Sequence, residues 1–172
     1  MIKLLILDVD GVMTDGKKYY DREGTVRLKT FCDKDWTAIK RFRALGIHVM
    51  FLTGDGYNVE IANNRNIDVI VTRNKEKADY LPEICKDYGV SPGEIIFVGD
   101  DIFDVGLMKL VKSYCPKDAP LIVKDYAQTL NINGGDNFVM QLFDYLSVKE
   151  LPKFDFDEHL KKVYELDMKE KF

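Results

Sequence analysis

A chain of 172 residues with 46% apolar side chains has the size of one domain and enough material for a buried core. Its net charge of −4, with Lys and Arg interleaved among Asp and Glu, argues against nucleic acid as a main partner, and its apolar runs fall far short of the ~20 residues that cross a bilayer. Three scattered cysteines in no metal or redox spacing read as reduced thiols, and a start without a basic region, apolar block and cleavage site points to the cytoplasm.

In chain order, the run Lys3–Asp8 is apolar and ends in acidic residues and Gly11, as expected of a buried strand opening into a loop. Lys17–Tyr20 and Thr25–Phe31 flank a tight turn at Asp21-Arg22-Glu23-Gly24 and predict a β-hairpin. Trp36, Ile39, Phe42 and Leu45 recur at helical spacing, Gly46 ends that helix, and Ile47–Leu52 resumes as a buried strand. The alternation continues with a helix over Asn58–Arg65, a strand at Asp68–Thr72, and a helix from Lys75 to Tyr88 that Pro82 kinks or divides. Ser91–Glu94 is a turn or short capped segment, Ile95–Val98 another buried strand, and Ile102–Val111 a helix. Phe138–Leu146 is helical, and the charged tail 147–172 is a helical extension packed on the domain or on a sister subunit. Such alternation implies a parallel sheet between two helical layers, with the ligand site beyond the C-terminal strand ends. Asp8–Asp10, Thr53-Gly54 and Asp100-Asp101 all fall at such ends.

Asp8-Val9-Asp10 sets two carboxylates two residues apart. One can attack a phosphoryl group to form an aspartyl phosphate while the other gives a proton to the leaving alcohol and then activates water. Attack requires the substrate's charge to be neutralised, which Mg²⁺ held by oxygen ligands does, and Asp100-Asp101-x-x-Asp104 is placed to complete a metal site. The Thr53 hydroxyl, the unhindered Gly54 N–H and the Lys77 ammonium suit phosphoryl oxygens. Histidine catalysis has little support, since His48 lies in an apolar run and His159 in a charged tail.

Asp-x-Asp-Gly-Val after the first strand, Thr53-Gly54 after a later one, then Lys77, then Gly99-Asp100-Asp101-x-x-Asp104 resemble, in order, the four signatures of the haloacid dehalogenase superfamily. The resemblance covers the first three-quarters of the chain. It implies a Rossmann-like three-layer α/β sandwich spanning 1–146, with a hairpin flap near 17–31, no room for a large cap domain, and a C-terminal extension over 147–172. It also implies Asp8 as nucleophile, Asp10 as general acid and base, and Thr53, Gly54 and Lys77 as phosphate holders. Mg²⁺ would sit on Asp8, Asp10 (through its carbonyl) and Asp100, with Asp101 and Asp104 supporting.

The opening Asp8–Gly16, the hairpin and Phe31-x-x-x-Asp35 are similar to the subgroup acting on 3-deoxy-manno-octulosonate 8-phosphate and nonulosonate 9-phosphates. That resemblance implies a small acidic sugar phosphate as substrate and a homotetramer whose hairpins and tails cover neighbouring sites, with Gly134-Gly135 matching the tail's glycine pair. Departures fall where substrate would bind: Trp36 replaces a small residue, Asp55-Gly56 follows Thr53-Gly54 in place of Arg or Glu, and the next segment is shortened. Lys17, Lys18 and Arg65 are candidates for a substrate carboxylate, and Trp36 and Tyr57 for a sugar wall, although such aromatics are more often core. Alternatives are a phosphatase of another small sugar phosphate or a non-catalytic oligomeric module. A receiver domain places its acidic pair and its phosphoacceptor in a different order along the chain.

Overall fold

All four side chains of β1 (Leu4–Leu7) are apolar, and in the computed structural model, which describes residues 1–171, all four are buried. A strand alternates its side chains between faces. Leu5 and Leu7 therefore join one core with Trp36, Phe42 and Phe143, while Leu4 and Ile6 join a second with Leu81, Ile84 and Leu107. With both faces covered, this strand has no place for the polar alternation of a half-exposed one.

β2 (Tyr19–Tyr20) and β3 (Val26–Leu28) pair antiparallel as the expected hairpin. α1 (Asp33–Ala44) starts one turn before Trp36 and leads to β4 (His48–Thr53). α2 (Asn58–Asn64) and β5 (Asp68–Val71) follow. Where one helix was expected over 75–88, a 3₁₀ turn at Lys77–Tyr80 precedes α3 (Leu81–Tyr88). Pro82 falls in the first turn of α3, where its missing N–H has no intrahelical partner to lose. β6 (Ile95–Val98) follows a capped 3₁₀ turn, and the expected helix over 102–111 is a 3₁₀ turn at Ile102–Asp104 with a short α4 (Val105–Met108).

The sequence reading missed β7 (Lys112–Cys115), α5 (Leu121–Lys124) and β8 (Gln128–Thr129), short segments without the four-residue apolar run that marks β1 and β6. α6 (Phe138–Lys149) runs past Leu146, and α7 (Phe156–Asp167) lies against α1. The sheet order is β5-β4-β1-β6-β7-β8 with every pair parallel, a Rossmann-like three-layer sandwich as expected. Between β1 and β4 stand only the hairpin and α1, and between β4 and Lys77 only α2 and β5, so no large cap interrupts the fold.

α7 is tied down by charge. Asp155 caps it, accepting the Asp157 and Glu158 N–H groups at 3.0 Å. The buried Lys40 ammonium meets Asp167 at 2.6 Å and Glu170 at 3.3 Å, and Glu170 also binds Arg65 at 2.7 Å. Among the described residues no helix is long and apolar enough to cross a membrane.

Candidate active site

β1 lies between β4 and β6, so the residues after these strands meet at one edge of the sheet. They line a cavity of about 950 Å³ that includes Asp8, Asp10, Thr53, Gly54, Lys77 and Asp100. The structure thus brings together all six residues to which the sequence reading gave catalytic, phosphate-holding or metal-binding roles.

Asp8 is buried, and its Oδ1 accepts the Val9 N–H at 2.8 Å and meets the Lys77 ammonium at 3.1 Å. Lys77 also donates to Asp104 Oδ1 at 2.6 Å, and Asp104 Oδ2 accepts the N–H groups of Asp100 and Asp101 at 2.9 and 3.0 Å. Asp104 therefore holds both the lysine and the acidic loop in place. Asp101, more exposed, accepts the Ile102 N–H at 2.6 Å and caps the 3₁₀ turn. Burial works against the charge of Lys77, but Asp8 and Asp104 more than offset this and hold its pKa above the usual lysine value.

Carboxylate oxygens of Asp8, Asp100 and Asp104 lie within 4.8 Å of one another. Burial raises Asp8 to about 7 despite the opposing pull of Lys77. Burial and the charges of Asp8, Asp104 and Asp101 push Asp100 up to about 8. Asp100 Oδ1 is buried without a hydrogen-bond partner, a costly arrangement in the absence of a cation. The Asp100 carboxylate leans on Gly11, whose φ is +90°, and a Cβ there would stand 2.0 Å from Asp100 Oδ2. Only glycine accommodates that approach. Oxygen donors of this type, one of them unpartnered, fit a divalent cation.

The Asp10 carboxylate is not one of the three in that cluster and binds other groups. Its Oδ1 meets Lys29 at 2.7 Å, and its Oδ2 accepts Asn58 Nδ2 at 3.1 Å. Asn58 Nδ2 also donates to the Thr53 hydroxyl at 2.9 Å, and Lys29 reaches Asn58 Oδ1 and Asp55 Oδ2, each at 2.9 Å. Lys18 binds the same Asp55 oxygen at 2.7 Å. Burial raises the pKa of Asp55, but the hydrogen bonds from Lys18 and Lys29 more than offset this and hold it far below the usual carboxylate range. Sequence reasoning missed Lys29 and Asn58. A lysine at a hairpin end and an asparagine in a helix's first turn read as a surface charge and a cap, and only the fold turns both inward.

Other candidates lie elsewhere. Lys17 pairs with Asp15 at the surface, and Arg65 stacks on Trp36 at 4.7 Å while binding Glu170. Trp36 is core, 5.2 Å from Phe31 and 6.2 Å from Phe51. Tyr57 lies under the Lys29 ammonium, 5.1 Å from it. Asp35 is fully buried and accepts the Met140 N–H at 3.0 Å, closing the start of α6. Gly134 and Gly135 pack on the Gly11–Asp15 loop, with the Gly135 N–H bonded to the Val12 carbonyl at 2.9 Å and a Cβ on Gly134 only 1.8 Å from the Gly11 oxygen.

No protein-family profile matches the chain. It is similar to the 3-deoxy-D-manno-octulosonate 8-phosphate phosphatase of Haemophilus influenzae, 30% identical over 150 residues that span 84% of this chain and 82% of that one. The enzyme of the same description from Escherichia coli K12 is 30% identical over 151 residues, covering 84% and 79%. Among solved structures, the cobalt-bound Haemophilus influenzae deoxy-D-mannose-octulosonate 8-phosphate phosphatase superposes with a TM-score of 0.80 at 27% identity, over 92% of this chain and 96% of that one. The Moraxella catarrhalis 3-deoxy-D-manno-octulosonate 8-phosphate phosphatase, solved with a magnesium ion, a phosphate ion and KDO, superposes with a TM-score of 0.77 over 97% and 90%, at 22% identity a likeness of fold.

Proposed function

The chain belongs to the 3-deoxy-D-manno-octulosonate 8-phosphate phosphatase family of the haloacid dehalogenase superfamily and is a phosphoric monoester hydrolase, and on that premise we propose a Mg²⁺-dependent phosphatase of an acidic keto-sugar phosphate, working through an aspartyl phosphate. The observation that carries the reading is the meeting of Asp8, Asp10, Thr53, Lys77 and Asp100 around one cavity.

In this reading an Asp8 oxygen attacks phosphorus, the bond to the sugar oxygen breaks, and Asp10 gives that oxygen its proton. Asp10, now a carboxylate, takes a proton from water. The hydroxide attacks the aspartyl phosphate, and Asp8 leaves with its carboxylate restored as inorganic phosphate departs. Lys77, Thr53 and the Gly54 N–H hold the phosphoryl oxygens, and the Asn58 amide between Asp10 and Thr53 keeps the proton carrier in register with the phosphate holder. Asp104 spends its oxygens on Lys77 and two amides, which leaves Asp8, Asp100 and the Asp10 carbonyl for Mg²⁺. When bound there, the ion supplies positive charge against the phosphoryl oxygens. It also favours the charged forms of Asp8 and Asp100, which burial disfavours.

The proposed substrate is 3-deoxy-D-manno-octulosonate 8-phosphate or a nonulosonate 9-phosphate. In the same reading the protein is a cytoplasmic homotetramer, and the cavity left open by the missing cap is covered by neighbouring subunits. Phosphate release from a panel of acidic and neutral sugar phosphates, with Mg²⁺ and with EDTA, tests this. The expected result is preferred, Mg²⁺-dependent turnover of the acidic substrates that Asp8→Asn abolishes. Full activity of Asp8→Asn overturns the nucleophile, and equal rates across the panel overturn the substrate class.

A further inference from the structure

Four cationic side chains line the cavity: Lys18, Arg73, Lys75 and Lys77. Two are committed to carboxylates, and a third has only a ring nearby. Lys18 is bound to Asp55, Lys77 to Asp8 and Asp104, and Lys75 lies 5.6 Å from the centre of the Tyr80 ring. Arg73 alone among them has no hydrogen bond, ion pair or ring contact with the described residues.

Its backbone is placed by the sheet, although the side chain is exposed. Val71 is the register partner of Thr53, and the Thr72 N–H bonds to the Thr53 carbonyl at 2.8 Å, so Arg73 leaves the sheet just beyond the strand that carries the phosphate-holding threonine. Its guanidinium lies against Gly56, where a Cβ would stand only 2.7 Å from a terminal nitrogen. A side chain at residue 56 would displace the end of the guanidinium. β5 stands two strands from β1, which at about 4.8 Å per strand sets the root of Arg73 about 10 Å to the side of the strand that delivers Asp8.

An octulosonate 8-phosphate bears its carboxylate and its phosphate at opposite ends of an eight-carbon chain. The group that reads the carboxylate must therefore stand well aside from the nucleophile that meets the phosphorus, on the cavity wall, uncommitted to protein anions and able to make a planar two-point contact. Arg73 meets each requirement, and a guanidinium is the side chain whose fork matches a carboxylate. We infer that Arg73 is the residue that binds the substrate's carboxylate and selects acidic sugar phosphates. The inference rests on the substrate class proposed above. It assigns Asp55, in contrast, to anchoring both ends of the hairpin through Lys18 and Lys29, with no direct part in selection.

The test is the ratio of kcat/KM for 3-deoxy-D-manno-octulosonate 8-phosphate to kcat/KM for a carboxyl-free hexose 6-phosphate, in wild type, Arg73→Gln, Arg73→Lys, Gly56→Ala and the Arg73→Gln/Gly56→Ala pair, each checked for an unchanged melting temperature. Arg73→Gln is expected to lower the ratio by about ten- to hundred-fold, mainly through KM for the acidic substrate, as loss of a charge-assisted contact does. Arg73→Lys should fall between, keeping the charge but losing the fork. Gly56→Ala should lower the ratio by pushing the guanidinium aside, and should lower it no further once Arg73 is gone. An unchanged ratio in Arg73→Gln, or an equal effect of Gly56→Ala in both backgrounds, overturns the role of Arg73 while the substrate class stands. A wild type that shows no preference for the acidic substrate overturns the substrate class and Arg73's role together.

Discussion

Asp100 is the residue whose chemistry is most out of balance in the protein alone. One carboxylate oxygen is buried without a partner, and burial with three neighbouring aspartates pushes its pKa up to about 8. Replacing a buried carboxylate that repels its surroundings by an isosteric amide relieves that cost. Asp100→Asn is expected to raise the melting temperature of the metal-free protein, by about 2–4 °C for each kcal/mol relieved, and to abolish the further rise that Mg²⁺ gives the wild type. Thermal melts with EDTA and with Mg²⁺ check both. A variant that melts lower without metal and still responds to Mg²⁺ would sink the assignment. The Asp-x-Asp and Gly-Asp-Asp signatures were legible at this scale because the chemistry demands those residue types at strand ends. Lys29 and Asn58 were not legible, since their part depends on burial against Asp10 that no local pattern encodes.

Asp35 shows how elements are joined. It sits early in α1 but accepts the Met140 N–H, so a carboxylate from one helix closes the first turn of another. Burial raises its pKa from 3.8 to about 6, with backbone N–H groups of α6 opposing. The folded protein therefore holds this proton more tightly than the unfolded chain. The stability it contributes is fully present below about pH 4 and is lost as pH rises through about 6. Asp35→Asn removes the titration, so the unfolding free energy of the variant minus that of wild type should rise between pH 4 and 6 and then level off. Urea unfolding at several pH values measures it, and a difference flat across that window would refute it. At this scale the long, periodic segments were readable, whereas β7 and β8 were not. Neither has the unbroken apolar run that marks β1 and β6, and those strands exist because the sheet edge beside β6 offers them hydrogen bonds.

For the whole molecule, assembly turns on the hairpin. Tyr19, Tyr20 and Leu28 are 55, 60 and 63% exposed, an apolar surface beside a cavity with no cap. If neighbouring subunits complete the site, light scattering should give the mass of a tetramer. Dilution or Tyr20→Asp should then lower turnover of the acidic sugar phosphate in step with dissociation, and a fully active monomer would disprove it. The fold class and the phosphatase family were legible in the chain alone, because continuous apolar strands alternating with helices point to a layered parallel sheet and the reaction admits few residue types at strand ends. Which cations are bound to carboxylates emerges only from the packing. Arg65, a candidate by sequence, is bound to the C-terminal tail, while Arg73 stands unpaired among the described residues in the cavity. An ion pair depends on distances set by packing, between residues as far apart in the chain as Arg65 and Glu170.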